Sequence, residues 1–133
     1  MAAPARRPLI LIVEDEPTLR EFLGDALRGA ELDVVTVDLA QHALDAVNRN
    51  RPDLILLDLG MPRGTMQGMD FLVLLRESDE WKSLPVIILS AYGDLVNRDV
   101  TARLRVAAVL SKPMLDVPGL IRFVRDNLPQ PAS

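Results

Sequence analysis

At 133 residues and 14.7 kDa the chain has room for one domain of ordinary size. Apolar residues make up 49% of it, enough for a core without staples, and the lack of cysteine beside one histidine excludes disulfides, thiolate zinc sites, cysteine nucleophiles and multi-histidine metal centres. With 19 acidic against 15 basic residues and a net charge of −4, global attraction to nucleic acid or anionic lipid is excluded as well.

Residues 1–8 and 129–133, rich in Pro and Ala, read as flexible tails around a domain at 9–128. The first strand is predicted at Leu9 to Val13, and a helix follows Pro17 with Leu19, Phe22, Leu23, Ala26 and Leu27 on one stripe. A second strand, Asp33 to Val37, precedes a stripe of Ala40, Ala43, Leu44 and Val47. The third strand, Leu54 to Leu57, leads to the stripe Phe71, Leu72 and Leu75. The fourth, Val86 to Leu89, leads to the weakest helical pattern, Leu95 to Arg105, where Val100 and Leu104 stand among three arginines. The fifth strand, Ala107 to Leu110, is followed by Leu120, Ile121, Val124 and Leu128 behind Pro118. Short Val/Ile/Leu-rich strands alternating five times with helices predict a doubly wound α/β domain with a parallel sheet and helices on both faces. The longest apolar runs are five residues, against the roughly twenty that span a bilayer. Leu9 to Val13 runs into Glu14, Asp15 and Glu16 instead of a small-residue cleavage site. No membrane insertion is expected, and a cytoplasmic location is.

In such a sheet, function gathers beyond the carboxyl ends of the strands. There the first strand delivers Glu14 and Asp15, the third Asp58, the fourth Ser90, and the fifth Ser111 and Lys112. Three crowded carboxylates repel one another, and a hard divalent cation with oxygen ligands neutralises them. Mg²⁺ suits this set best, because it takes few protein oxygens and leaves room for phosphate. A metal, a lysine and a hydroxyl together stabilise a phosphoryl group in transfer, with Asp58 as a nucleophile that forms an acyl phosphate. No GxGxxG or GxxxxGK[ST] sequence is present, so the usual nucleotide-binding motifs of α/β folds are missing.

The ordered set Glu14-Asp15, Asp58 in DLILLDLGMP, Ser90-Ala91 after PVIIL, and Lys112-Pro113 resembles the receiver domain of bacterial two-component response regulators over about residues 9 to 128. The resemblance implies a flavodoxin-like strand order of 2-1-3-4-5 and Asp58 as phosphoacceptor. It implies Asp15 and the Gly60 carbonyl as Mg²⁺ ligands, with Glu14 beside them. Lys112 would bridge to the phosphoryl group, Ser90 would swing toward it with Ala91 adjacent, and the Lys112–Pro113 peptide would be cis. The implied phosphoryl donor is a histidine kinase or a histidine phosphotransfer protein, and the output an unidentified protein target.

Several positions depart from the family pattern. The loop MPRGTMQG, Met61 to Gly68, is two residues longer than usual and carries Gln67 where an acid is common. Val109 stands where an aromatic usually reports phosphorylation, and Arg105-Val106 replaces the usual Gly-Ala. Tyr92, the only tyrosine, is a candidate gate for the pocket. His42 and the arginines at 98, 103, 105, 122 and 125 read as solvated helix positions, and Trp81 as a cap over the sheet edge.

The expected function is a stand-alone phosphoacceptor switch, with no direct nucleic-acid contact and no turnover beyond its own phosphorylation and dephosphorylation. One rival is a receiver-like interaction module that is not phosphorylated. Another is a small aspartate-nucleophile phosphatase; enzymes of the haloacid-dehalogenase type carry a second aspartate two positions after the first, and here that position is Gly60.

Overall fold

A computed structural model describes residues 6–91, 98–112 and 116–129. Five strands, β1 (Leu9–Val13), β2 (Asp33–Val37), β3 (Leu54–Asp58), β4 (Val86–Ser90) and β5 (Ala108–Ser111), form one parallel sheet in the order β2-β1-β3-β4-β5. Five helices, α1 (Pro17–Gly29), α2 (Ala43–Asn50), α3 (Gly68–Glu77), α4 (Arg98–Arg103) and α5 (Val117–Asn127), connect and flank them.

Successive side chains of a strand point to opposite faces, so each central strand feeds two cores. Ile10, Ile12, Leu54, Leu56, Ile87 and Leu89 pack with Leu23 and Leu27 of α1 and Leu120 and Val124 of α5. Leu11, Val13, Ile55, Leu57, Val86 and Ile88 pack with Ala43 and Val47 of α2 and Phe71, Leu72 and Leu75 of α3. Burial on both faces explains why these strands read as continuous apolar runs.

The third and fourth strands reach one residue further than their apolar runs, and the fifth starts and ends one residue later than predicted. Asp58 pairs with Leu89, and Ser90 with Ser111. Ladder bonds are made by the backbone and ignore side-chain polarity, so polar residues extend the strands. The second predicted helix is divided into a 3₁₀ turn at Ala40–His42 and α2. His42 is exposed there, with Nδ1 3.0 Å from Asp38 Oδ1. In the segment read as an amino-terminal tail, Arg6 pairs with Asp53 at 2.8 Å, and the Pro8 carbonyl accepts from Asp33 N at 2.9 Å. Trp81 is nine-tenths buried in the α2/α3 core, its indole N–H donating to Asn48 Oδ1 at 2.9 Å and its ring 4.9 Å beneath the Arg51 guanidinium.

Three helices are closed by charged residues in the left-handed region: Glu31 (φ 67°), Arg51 (φ 54°) and Arg105 (φ 55°). After α1, Glu31 N and Leu32 N return to Arg28 O and Leu27 O, the paired bonds of a Schellman motif. After α4, Arg105 N bonds Ala102 O at 3.2 Å and Val106 N bonds Thr101 O at 2.9 Å in the same arrangement. This stop ends the fourth helix at Arg103, short of the predicted Arg105; its predicted start at Leu95 lies outside the described residues. The turn is held by Arg76, which donates to Leu104 O at 2.7 Å and Arg105 O at 3.3 Å, and also to Leu84 O and Trp81 O. Burial and the like charge of Arg105 both disfavour the charged form of Arg76.

A non-glycine residue in the left-handed region costs roughly 1–2 kcal/mol, partly offset by the flexibility glycine adds to the unfolded chain. Arg105→Gly removes both that cost and the repulsion of Arg76. It should raise the unfolding free energy by about 0.5–1 kcal/mol, measured by urea titration of Trp81 fluorescence.

Candidate functional site

The carboxyl edge of the sheet brings four charged side chains together. Glu14 follows β1 directly and still donates its N–H to Val37 O of β2 at 3.1 Å, which fixes its direction. Asp58 is the last residue of β3, and Lys112 follows β5. Lys112 Nζ lies 2.8 Å from Asp58 Oδ2 and 3.0 Å from Glu14 Oε1. Carboxylate oxygens of Glu14, Asp15 and Asp58 all lie within 4.8 Å of one another. Glu14 and Asp58 are the two buried charged residues among those described, 0% and 3% exposed, whereas Asp15 is partly exposed.

Burying two carboxylates beside one ammonium leaves a charge imbalance. Burial raises the Glu14 pKa to about 7, and its contact with Asp58 adds to the rise while Lys112 opposes it. Burial works against the charge of Lys112 too, but its hydrogen bond to Asp58 and its ion pair with Glu14 outweigh this and raise its pKa. Glu14 Oε1 has no hydrogen bond despite its 3.0 Å approach to the ammonium. A buried, unbonded carboxylate oxygen within a cluster of hard oxygen donors fits a small divalent cation better than any cation of softer preference.

The surrounding loops hold this cluster from behind. The Glu16 side chain caps α1 by accepting from Thr18 N at 3.1 Å and Leu19 N at 2.6 Å, while Glu16 N donates to Glu14 Oε2 at 3.2 Å. Of the acidic triplet, Glu16 therefore serves the helix and Glu14 and Asp15 face the cluster. Arg20, one turn into α1, donates to the carbonyls of Glu14 at 2.9 Å and Asp15 at 3.4 Å. Gly60 N donates to Asp58 Oδ1 at 3.1 Å. Gly68 opens α3 against the same strand end, and a Cβ there would stand 2.7 Å from the Asp58 carbonyl. Only glycine permits that approach.

Glu14, Asp15, Asp58 and Lys112 are thus brought together, with Gly60 bonded to the Asp58 carboxylate. Ser90 ends β4 partly buried, and Ala91 follows it, exposed. Tyr92 and Pro113, and with Pro113 the expected cis peptide, lie outside the described residues. Val109 is partly buried and packs toward the α2/α3 core. Two contributors were not singled out from the sequence: Arg20 and Gly68. The signals available were an arginine one turn past the acidic triplet and a glycine opening an apolar stripe, both common enough on their own to pass unremarked.

Because the folded pKa of Glu14 is raised, the folded protein binds more protons than the unfolded chain between about pH 4.5 and 7. Its contribution to stability is complete below that window and lost as pH rises through it. Without metal, Glu14→Gln should be more stable than wild type by roughly 1–3 kcal/mol at pH 8. The gap should close toward pH 4.5 in urea unfolding curves; a gap independent of pH would contradict it.

The family profile of the response regulator receiver domain matches residues 10–124. The KDP operon transcriptional regulatory protein KdpE of Escherichia coli is 41% identical over 106 residues, which is 78% of this chain and 44% of that protein. The DNA-binding response regulator MtrA of Mycolicibacterium smegmatis is 40% identical over 91 residues, 68% of this chain and 38% of that protein. The chain thus spans less than half the length of these curated relatives. Among solved structures, a response regulator receiver protein from Pseudomonas putida superposes with a TM-score of 0.81 at 30% identity, covering 92% of this chain and 98% of that one. The Vibrio cholerae chemotaxis protein CheY4, at 23% identity and a TM-score of 0.84, shares the fold over 92% of this chain and all of its own. With a family match across nearly the whole sheet and an acidic cluster at its carboxyl edge, the chain belongs to the response regulator receiver domain family.

Proposed function

We propose that this receiver domain accepts a phosphoryl group on Asp58 in a Mg²⁺-dependent reaction and alters its protein contacts in response. The observation that carries this reading is the buried Asp58 carboxylate, 2.8 Å from Lys112 Nζ and within 4.8 Å of the Glu14 and Asp15 carboxylates. Asp15, Asp58 and the Gly60 carbonyl would hold the ion, with Glu14 bound directly or through water. When bound, Mg²⁺ removes the mutual repulsion of the carboxylates and neutralises phosphoryl oxygens.

The donor is a phosphohistidine on a histidine kinase or phosphotransfer protein. An Asp58 carboxylate oxygen attacks phosphorus, the P–N bond breaks with its electron pair passing to the imidazole, and an acyl phosphate forms. Lys112 then loses part of its carboxylate partner and pairs with a phosphoryl oxygen, and the Ser90 hydroxyl, with Ala91 beside it, offers a further contact. Water ends the phosphorylated state by attacking phosphorus; the P–O bond to Asp58 breaks with its electron pair returning to the carboxylate, and inorganic phosphate leaves. A shift of charge at this edge biases the equilibrium between two arrangements of the domain, and a downstream protein reads the difference. Regulation of transcription and DNA binding are in the names of the relatives; the net charge of −4 here gives this domain no general attraction to DNA.

Incubation with a small acyl phosphate and Mg²⁺ should add one phosphoryl group, seen by intact mass, and Asp58→Ala should abolish it. An adduct that persists in Asp58→Ala, or none in wild type, would overturn the reading. At about ten times its dissociation constant, Mg²⁺ should stabilise the protein by roughly 1.4 kcal/mol, or about 5 °C in melting temperature. Asp58→Ala should itself stabilise the metal-free protein by relieving repulsion.

A further inference from the structure

The loop from Asp58 to α3 is held by one side-chain amide. Gln67 Oε1 accepts from Met61 N at 3.3 Å, and Gln67 Nε2 donates to Met61 O at 3.3 Å, Pro62 O at 3.4 Å and Thr65 O at 3.3 Å. Each bond is long, but the orientation of the amide is fixed by them, because its oxygen meets a donor and its nitrogen three acceptors. Gln67 is itself fixed, since its backbone N–H donates to Asp70 Oδ2 at 3.3 Å at the start of α3.

Met61 N–H and the Gly60 carbonyl belong to the same peptide group. In a trans peptide these point in opposite directions, so a bond that anchors the N–H also sets where the carbonyl points. The preceding peptide is anchored too, through Gly60 N to Asp58 Oδ1 at 3.1 Å. Gly60 is therefore clamped on one side by the Asp58 carboxylate and on the other by the Gln67 amide. Glycine has the most backbone freedom of any residue, and a clamp on both sides removes it here.

We propose that Gln67 is a positioning residue that orients the Gly60 carbonyl for Mg²⁺, an inference that rests on the metal-binding reading above. It also accounts for an amide at this position. In the lengthened loop three carbonyls converge on one side chain; a carboxylate there would accept from Met61 N–H but have no proton for them. Partners that orient metal ligands from behind typically change affinity by 10- to 100-fold when removed. A backbone carbonyl is one of several ligands here, so the lower end applies.

Titration calorimetry with MgCl₂ on the full chain tests this. Wild type should bind saturably, and Gln67→Met should raise the dissociation constant about tenfold. Thr65→Val serves as the comparison, because Thr65 Oγ1 donates to Pro62 O at 2.6 Å in the same loop without touching Met61 N–H; its Mg²⁺ affinity should stay within twofold of wild type. Equal affinity in Gln67→Met, or equal weakening in both variants, would overturn the positioning role while leaving the metal site intact. Absence of saturable Mg²⁺ binding in wild type would instead overturn the metal reading beneath it. Should Gln67→Met not fold, amide exchange in wild type decides: the Met61 N–H should be protected at least tenfold relative to Arg63 and Gly64, and an unprotected Met61 would defeat the proposal.

Discussion

Two carboxylates buried against one lysine ammonium are the constraint on which the rest of this domain depends. Glu14 and Asp58 have almost no contact with solvent, and Lys112 lies within 3.0 Å of both. Removing charge from water is costly unless it is paired and hydrogen-bonded. The pairing here is incomplete, with Glu14 Oε1 lacking a hydrogen bond and its pKa raised to about 7. A fold that maximised stability alone would place apolar residues at these strand ends. The retained imbalance is a favourable setting for a cation, and for a reaction that changes the charge on Asp58.

The sheet makes that imbalance possible. Parallel order brings the carboxyl ends of β1, β3 and β5 to one edge, although Glu14 and Lys112 are far apart in the chain. Two cores, one on each face, give those strands little freedom to shift, since a one-residue slip would reverse every side chain. The loops then add finer control. Arg20 ties down the Glu14 and Asp15 carbonyls, Gly68 lets α3 start against the Asp58 carbonyl, and the Gln67 amide holds Met61.

The opposite treatment appears around α4. That helix buries none of its residues, and the turn after it relies on Arg105 in a left-handed conformation and on carbonyl bonds from Arg76. Charged residues close three helices where glycine would fit with less strain, so local stability here is below what the backbone would permit. The strain at Arg105 sits at the amino end of β5, the end opposite Lys112.

Much of this was legible in the residues themselves. Strand runs such as Leu9 to Val13 and Leu54 to Leu57 are apolar because both sheet faces are covered, and hydrophobic patterning depends only on neighbours in the chain. Acidic, hydroxyl and amino groups at the ends of those runs point to one edge once the strands are parallel, so Glu14, Asp15, Asp58 and Lys112 were identifiable as a set. Tertiary structure alone decided the rest. Polar residues extended the strands because ladder bonds are backbone bonds, and Arg105 ended α4 because its φ, not its helix propensity, governs there. The division of the acidic triplet between helix cap and cluster required the direction of each side chain. So did the roles of Arg20 and Gln67, which act on backbone groups and leave no pattern in side-chain chemistry; only the folded path of the loop brings those carbonyls and N–H groups within their reach.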